Sequence, residues 1–178
     1  MIAARAALLV ALAALLVGAE SEPVRLPTAS VNSIFHIAKS ENRNQVHYAI
    51  TVDERCRPVG KAPVRGYWRE YEEGPTVVDS LRKHQQRAYG VTEPRSVTLS
   101  DDGGDVRLAM RALPDRTLRI ATFREGARCR ARAYTPINDQ PAMLTSIYVE
   151  IGFLSVDYLI MRGIRVSDGA EIQERVED

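Results

Sequence analysis

The sequence is poor in the residues and patterns that mark several specialised classes of protein. Two cysteines among 178 residues are too few for a zinc ribbon. Eleven glycines exclude a collagen-like repeat, and no sustained heptad pattern indicates a coiled coil. Basic and acidic residues number 24 and 23, so a net charge of +1 gives no general reason to expect binding to nucleic acid. A composition that is 45% hydrophobic and 26% charged is typical of a globular domain.

The sequence also lacks a hydrophobic run long enough to span a membrane, which needs about 20 apolar residues. The longest unbroken apolar run, Ala6–Val17, follows a short basic start and ends in small residues. This pattern predicts a secretory signal peptide over residues 1–19. We therefore expect an exported mature chain, periplasmic or extracellular, with no transmembrane span. An N-terminal arm over residues 20–32 would precede a single β-rich domain over residues 33–178.

The two cysteines, Cys56 and Cys129, are consistent with export. In an oxidising compartment the economical interpretation is a disulfide between them. The alternative is two unrelated buried thiols. A metal site is not predicted, because two distant cysteines and three histidines (His36, His47 and His84) show no ligand spacing.

Sequence signatures of enzymes are missing as well. The chain has no GxSxG, HExxH, P-loop or GxGxxG motif, so no catalytic residue and no cofactor are predicted. Adjacent carboxylates at Asp101-Asp102 and Glu72-Glu73 point apart on a strand or turn, and they are better interpreted as solvated turns. A hydrolase of unrecognised type remains an alternative.

Alternating apolar and polar residues dominate the mature sequence. Residues 45–53 and 106–113 alternate with period two, which indicates half-buried strands. About ten short strands separated by turn residues predict a mainly β fold, an antiparallel meander that forms a barrel or a sandwich. Pro114–Arg116 is predicted to be one of the turns. Helical spacing over residues 76–89 predicts one helix packed on the sheet, with Gly90 as its C-cap.

One group of residues is a candidate binding pocket. Two asparagines flank an arginine between strands, the only tryptophan follows a tyrosine, and a tyrosine and a glycine end the predicted helix. The same residues could instead form a hairpin turn and part of the core. The candidate binding residues are Asn42, Asn44, His47, Tyr67, Trp68, Tyr89 and Gly90.

A second group is rich in arginine. Only three of the 24 basic residues are lysines, which indicates a compositional bias and weakens any argument from arginine abundance alone. Alternation nevertheless places six arginines on the outward side of three consecutive strands, where they could bind phosphate or carboxylate groups. The alternative is a solvated face relieved by nearby acids. The candidate anion-binding residues are Arg107, Arg111, Arg119, Arg128, Arg130 and Arg132.

Several segments together resemble an uncharacterised bacterial family. They are IFHIAKSENRNQVHY, PVRGYWREYEEG, QQRAYGV and IYVEIG, and the likeness extends over about residues 32–175. The sequence resembles domain-of-unknown-function family 4833, whose members look like short exported proteins. The resemblance implies one exported domain and brings no assigned activity. The matching motif positions are Asn42, Asn44, Tyr67, Trp68, Tyr89 and Gly90.

These observations lead to three functional hypotheses. The first is an exported, non-enzymatic binding or accessory domain for an unknown small molecule or envelope component. The second is a module that binds anionic envelope polymers through its arginines. The third is the hydrolase, which would require a nucleophile and a base in contact within a polar cleft.

Overall fold

A computed structural model describes residues 33–74, 77–153 and 155–177. The predicted signal peptide and N-terminal arm lie outside the described residues. Alternating sequence forms eleven strands, and one short helix, α1 (Gln85–Tyr89), lies between the fourth and fifth strands. The strands are β1 (His36–Lys39), β2 (Asn42–Ile50), β3 (Val64–Arg69), β4 (Val78–Ser80), β5 (Ser96–Ser100), β6 (Gly103–Met110), β7 (Leu113–Glu125), β8 (Arg128–Ile137), β9 (Gln140–Ile151), β10 (Val156–Arg165) and β11 (Glu171–Glu177).

All eleven strands belong to one sheet. Nine of them follow the order β4-β3-β2-β1-β9-β8-β7-β6-β5, while β10 pairs with β9 off this path and β11 pairs with β10. The long strand β9 joins the halves, because one of its edges pairs with β8 and then with β1, and its other edge pairs with β10. The β1–β9 pair is parallel and the other pairs are antiparallel. The sheet does not close between β4 and β5, so the fold is sandwich-like and not a barrel. The mainly β prediction is confirmed.

The core lies between the inward faces of the two halves of the sheet. Val106, Leu108 and Met110 on β6 are buried, as their alternation predicts. From the other half, Tyr48 is fully buried and stacks on Phe35 at 4.3 Å between ring centroids. Aromatic rings at this distance add to the hydrophobic contribution of burial.

The prediction of a long helix over residues 76–89 is wrong. Thr76 lies outside the described residues, Val78–Ser80 forms β4 against β3, and only Gln85–Tyr89 is helical. Val78 is β-branched and therefore favours a strand. The edge of β3 supplies backbone hydrogen bonds to this segment, and such long-range pairing cannot be recognised from helical spacing in the local sequence. Gly90 does end the helix, but in extended backbone (φ −70°, ψ 163°) and not in the left-handed conformation. A Cβ atom there would lie 2.2 Å from the Gln86 carbonyl oxygen.

The predicted turn at Pro114–Arg116 is also misplaced. Met110 pairs with Leu113, so the chain reverses at Arg111 and Ala112. The segment Pro114–Arg116 interrupts the register within β7 without reversing it, since proline cannot donate to the strand ladder. Arg111 therefore lies in a turn and not on a strand.

The predicted disulfide between Cys56 and Cys129 is confirmed, with the two Cα atoms 5.2 Å apart. Cys56 is fully buried and adopts a left-handed backbone (φ +62°) in the loop after β2. Both carboxylate oxygens of Asp53 hold this loop, one accepting from the backbone nitrogens of Arg55 and Arg57 and the other from the Arg57 side chain. The bond thus fixes the β2–β3 connection to β8. No helix within the described ranges is long and apolar enough to cross a membrane.

Candidate functional site

The two asparagines of the predicted pocket hold the start of the β2–β3 hairpin together. The Asn42 side-chain oxygen accepts from the backbone nitrogen of Asn44 at 3.1 Å. In turn, the Asn44 side-chain oxygen accepts from the backbone nitrogen of Glu72 at 3.2 Å. Asn42 also lines a surface groove of about 310 Å³, whose other walls are Ala38, Arg43, Gln45 and Tyr71.

Tyr67 and Trp68 are consecutive on β3 and therefore point to opposite faces of the sheet. Trp68 points into the core, where its ring meets Tyr89 edge-on at 5.5 Å and Lys39 lies 5.3 Å from its centroid. The Tyr48 hydroxyl donates to the Tyr89 carbonyl at 2.6 Å and fixes the end of α1. Trp68 and Tyr89 are therefore in contact, and Gly90 is the next residue after Tyr89. These residues lie on the core side of β3, whereas Tyr67 lies on the outer side.

On the outer face of the same strands, Tyr67 joins a row of aromatic rings. His36, His47 and Tyr67 are direct cross-strand partners, and successive rings stack at 5.3 and 5.9 Å. His47 is only 7% exposed although it lies on the polar side of its strand. Its Nδ1 lies 2.8 Å from the Ser33 hydroxyl, and its Nε2 lies 3.1 Å from the Gln45 side-chain oxygen.

Burial favours the neutral form of both histidines. Burial lowers the pKa of His47 to about 4, with further contributions from Arg69 and from His36 when it is protonated. Burial also lowers the pKa of His36. Because the Gln45 oxygen can only accept, His47 donates from Nε2, and Nδ1 accepts the proton of the Ser33 hydroxyl. At neutral pH the row is uncharged and polar.

The contact between Ser33 and His47 has the composition of a nucleophile and a base. A base that accepts a proton must be stabilised as a cation, and catalytic sites supply a carboxylate for that purpose. Here the orienting group is the neutral amide of Gln45, and Arg69 and His36 disfavour a charged His47. These neighbours disfavour a protonated His47 beside Ser33. Among the described residues, no group of three or more histidine, cysteine, aspartate or glutamate side chains could hold a metal ion.

The arginine-rich strands form a second candidate site on the opposite half of the sheet. Arg107 and Arg119 are direct cross-strand partners, and Arg130 and Arg132 follow on β8 opposite Phe123 and Ala121. Neighbouring strands lie about 4.8 Å apart, so these side chains form one continuous surface. We call the exposed set Arg107, Arg119, Arg128, Arg130 and Arg132 the arginine face. Arg111 is separate from it, because its Nε donates to the Val91 carbonyl oxygen at 3.1 Å.

Two acids partly neutralise the arginine face. Asp105 pairs with Arg119 at 2.5 Å, while Glu125 pairs with Arg130 at 3.0 Å and approaches Arg132 at 3.8 Å. Arg107 and Arg128 form no ion pair with any described residue.

Two aromatic rings complete this surface. The guanidinium of Arg132 lies 4.9 Å from the ring centroid of Phe123, and that of Arg119 lies 5.4 Å from Tyr134. Such stacking holds a guanidinium by its face and leaves its N–H edge open to a ligand.

The sequence-based prediction missed Arg43, Gln45 and Tyr71, which line the groove next to the histidine row. It also missed Arg69, the cross-strand partner of Gln45. Arg69 was detectable in principle, because it lies two residues after Tyr67 on the same strand and must share its face. Gln45 matters because its side-chain oxygen is a hydrogen-bond partner of the buried His47. No local feature of the sequence indicates that His47 is buried.

The fold and its surfaces define a sandwich-like β domain with a cationic outer face, stapled by one disulfide. Residues 35–175 match the family DUF4833, a domain of unknown function, and the chain belongs to that family. No curated protein and no solved structure matches the chain.

Proposed function

We propose that this protein is an exported, non-enzymatic binding domain that holds anionic envelope polymers on its arginine face. The observation that carries the proposal is the register of β6, β7 and β8, which places five guanidiniums beside only two carboxylates. The overall charge of the chain is close to zero, so this local excess is a property of one surface and not of the composition.

The chemistry of arginine suits a repeating anion. A guanidinium presents several N–H donors in a planar fork that matches phosphate and carboxylate oxygens, and it keeps its charge at any physiological pH. Within the part of the chain that the structure describes, Arg107 and Arg128 pair with no acid, so their positive charge is available to a ligand. Successive arginines across neighbouring strands would meet successive charges along a flexible polymer.

The predicted signal peptide and the disulfide support export. A disulfide that forms and persists is typical of secreted and periplasmic proteins. Export also determines the available polyanions, which in a cell envelope are polymers bearing phosphate or carboxylate groups. The predicted pocket around Trp68 gives weaker support to binding, because β3 divides its members between the core and the outer surface.

The proposal is tested by charge removal at the two unpaired arginines. The variant R107Q/R128Q removes two positive charges from the arginine face without breaking an ion pair of the described residues. The matched control K83Q/R87Q removes two exposed positive charges from around α1. Binding of each protein to inorganic polyphosphate and to uncharged dextran is measured by fluorescence anisotropy at constant ionic strength.

We expect R107Q/R128Q to weaken polyphosphate binding by roughly tenfold or more, since each charge-assisted contact contributes about 1 kcal/mol. The control should change the dissociation constant by less than about twofold, and dextran should not bind. Equal weakening in both double variants would show a diffuse attraction and contradict a specific face. Absence of binding by the wild-type protein would also contradict it.

A further inference from the structure

Three strands of the described sheet, β4, β5 and β11, each pair with a single neighbouring strand. Such an edge strand presents unpaired backbone N–H and C=O groups, and proteins protect it with a short length or with charged side chains. β4 has three residues and includes Asp79, while β11 carries charged side chains at four of its seven positions. β5 has neither protection, because its five residues are uncharged and pair with β6 in unbroken register.

The strand β5 also exposes two large apolar side chains. Val97 is 45% exposed and Leu99 is 56% exposed. Their cross-strand partners on β6 are the buried residues Val106 and Gly104, so both side chains lie on the core side of the sheet. The apolar side of the sheet therefore continues onto β5, where the described residues cover it only in part.

The sequence of β5 is complementary to itself when it runs antiparallel. Two copies related by a twofold axis perpendicular to the sheet pair residues that point to the same face. With Thr98 on the axis, Thr98 faces Thr98 of the second copy and Val97 faces Leu99 of the second copy. Threonine pairs and apolar pairs in directly opposite positions stabilise a sheet. The same register sets Arg95, just before β5, against Asp101 of the second copy, just after β5.

The charges at the two ends of β5 favour this register over its neighbours. Both Arg95 and Asp101 are exposed, and neither forms an ion pair with a described residue. An axis at Val97 would set Leu99 against Arg95, and an axis at Leu99 would set Val97 against Asp101. Of these three registers, only the one centred on Thr98 places opposite charges together and apolar side chains together.

We propose that a second copy of this chain docks along β5, so that two sheets join into one antiparallel sheet about an axis at Thr98. Five residues from each copy make a small interface, so we expect a dissociation constant on the order of 10–100 µM. Ser96 is the cross-strand partner of Arg107, so the arginine faces of the two copies would lie on the same side of the joined sheet. Association does not depend on polyanion binding, and polyanion binding does not depend on association.

The first test places a charge on the axis. Sedimentation equilibrium is measured without polyanion for the disulfide-intact protein at about 10 µM to 1 mM, which brackets the expected constant. T98K would set two lysine side chains directly opposite each other on the exposed face, where like charges destabilise pairing. The matched control S80K adds the same charge at an exposed position of β4, another edge strand. T98K should raise the dissociation constant at least about tenfold and S80K by less than about twofold.

The second test exchanges the charges at the ends of β5. R95D and D101R each set like charges opposite each other at both ends of the joined strands, so each variant alone should associate at least about fivefold more weakly. In an equimolar mixture each charge meets its opposite, and association should return to within about threefold of the wild-type constant. Six residues of extended chain separate the two positions by about 20 Å, so no contact within one copy can produce this recovery.

Three results would overturn the proposal. A wild-type protein that stays monomeric at about 1 mM would show that β5 does not pair with a second copy. A dimer that T98K leaves intact would place the interface elsewhere. Failure of the mixed charge variants to associate would contradict the register centred on Thr98. Because no polyanion is present, none of these results can arise from a failure of the arginine face.

Discussion

Reducing the Cys56–Cys129 bond should destabilise the protein by a large and calculable amount. The bond joins residues separated by 73 positions, and the chain-entropy treatment gives a loss of about 4 kcal/mol in the free energy of unfolding. The effect arises mainly in the unfolded chain, which regains the freedom that the closed loop removes. For a domain of this size the melting temperature should fall by roughly 10–15 °C.

The assay is chemical denaturation of three samples: the oxidised protein, the same protein reduced, and the variant C56A/C129A. The reduced protein keeps both side chains, so its loss of stability measures the cross-link alone. The alanine variant should lose somewhat more, because Cys56 is fully buried and its replacement removes a packed sulfur. Identical unfolding midpoints for the oxidised and reduced proteins would refute the reasoning.

Three other perturbations test the packing and the electrostatics. Y48F should lower the free energy of unfolding by about 1 kcal/mol, because the Tyr89 carbonyl loses its 2.6 Å partner; an unchanged midpoint in urea would contradict that role. E174Q should destabilise by about 1 kcal/mol, because the paired hydrogen bonds between Arg116 and Glu174 at 2.7 and 2.8 Å tie β11 to β7. E171Q, at an exposed glutamate of the same strand that forms no ion pair with a described residue, serves as a control with little effect. Hydrogen bonding to Arg116 lowers the pKa of Glu174, so this stabilisation should be present above pH about 4.3 and lost as the pH falls through the folded-state pKa; a wild-type advantage over E174Q that persists at low pH would contradict it.

The local pattern of apolar and polar residues predicted most of the strands, because alternation with period two indicates which face of a strand is buried. Val106, Leu108 and Met110 are buried as that rule requires. The same reasoning placed Arg107 and Arg119 on the outward side of neighbouring strands, and in the structure they are cross-strand partners. The disulfide also followed from the sequence, because a bond between the two cysteines is the economical arrangement in a chain that is predicted to be exported.

The errors arose where long-range pairing overrides local preference. Val78 has helical spacing with Leu81, but the segment that contains Val78 pairs with the edge of β3 and forms a strand. Arg111 alternates with Arg107, yet the register of Met110 with Leu113 puts it in a turn. The parallel pairing of β1 with β9 joins segments about 110 residues apart, and no local signal specifies it.

The sequence identified only part of the group of residues that the structure brings together at the candidate pocket. It selected His47 and Tyr67, which do stack on the outer face of the sheet. It also selected Trp68, although adjacent residues on a strand face opposite sides. It omitted Arg69, although alternation places Arg69 on the same face as Tyr67, two residues along the strand.

The salt dependence of polyphosphate binding tests the central claim most directly. Guanidiniums that contact successive phosphates displace bound counterions, so affinity must fall steeply as the salt concentration rises. With the wild-type protein we predict that the dissociation constant rises at least about tenfold between about 50 and 200 mM sodium chloride, with a shallower dependence for R107Q/R128Q. A dissociation constant that stays constant over that range would contradict the account of the arginine face.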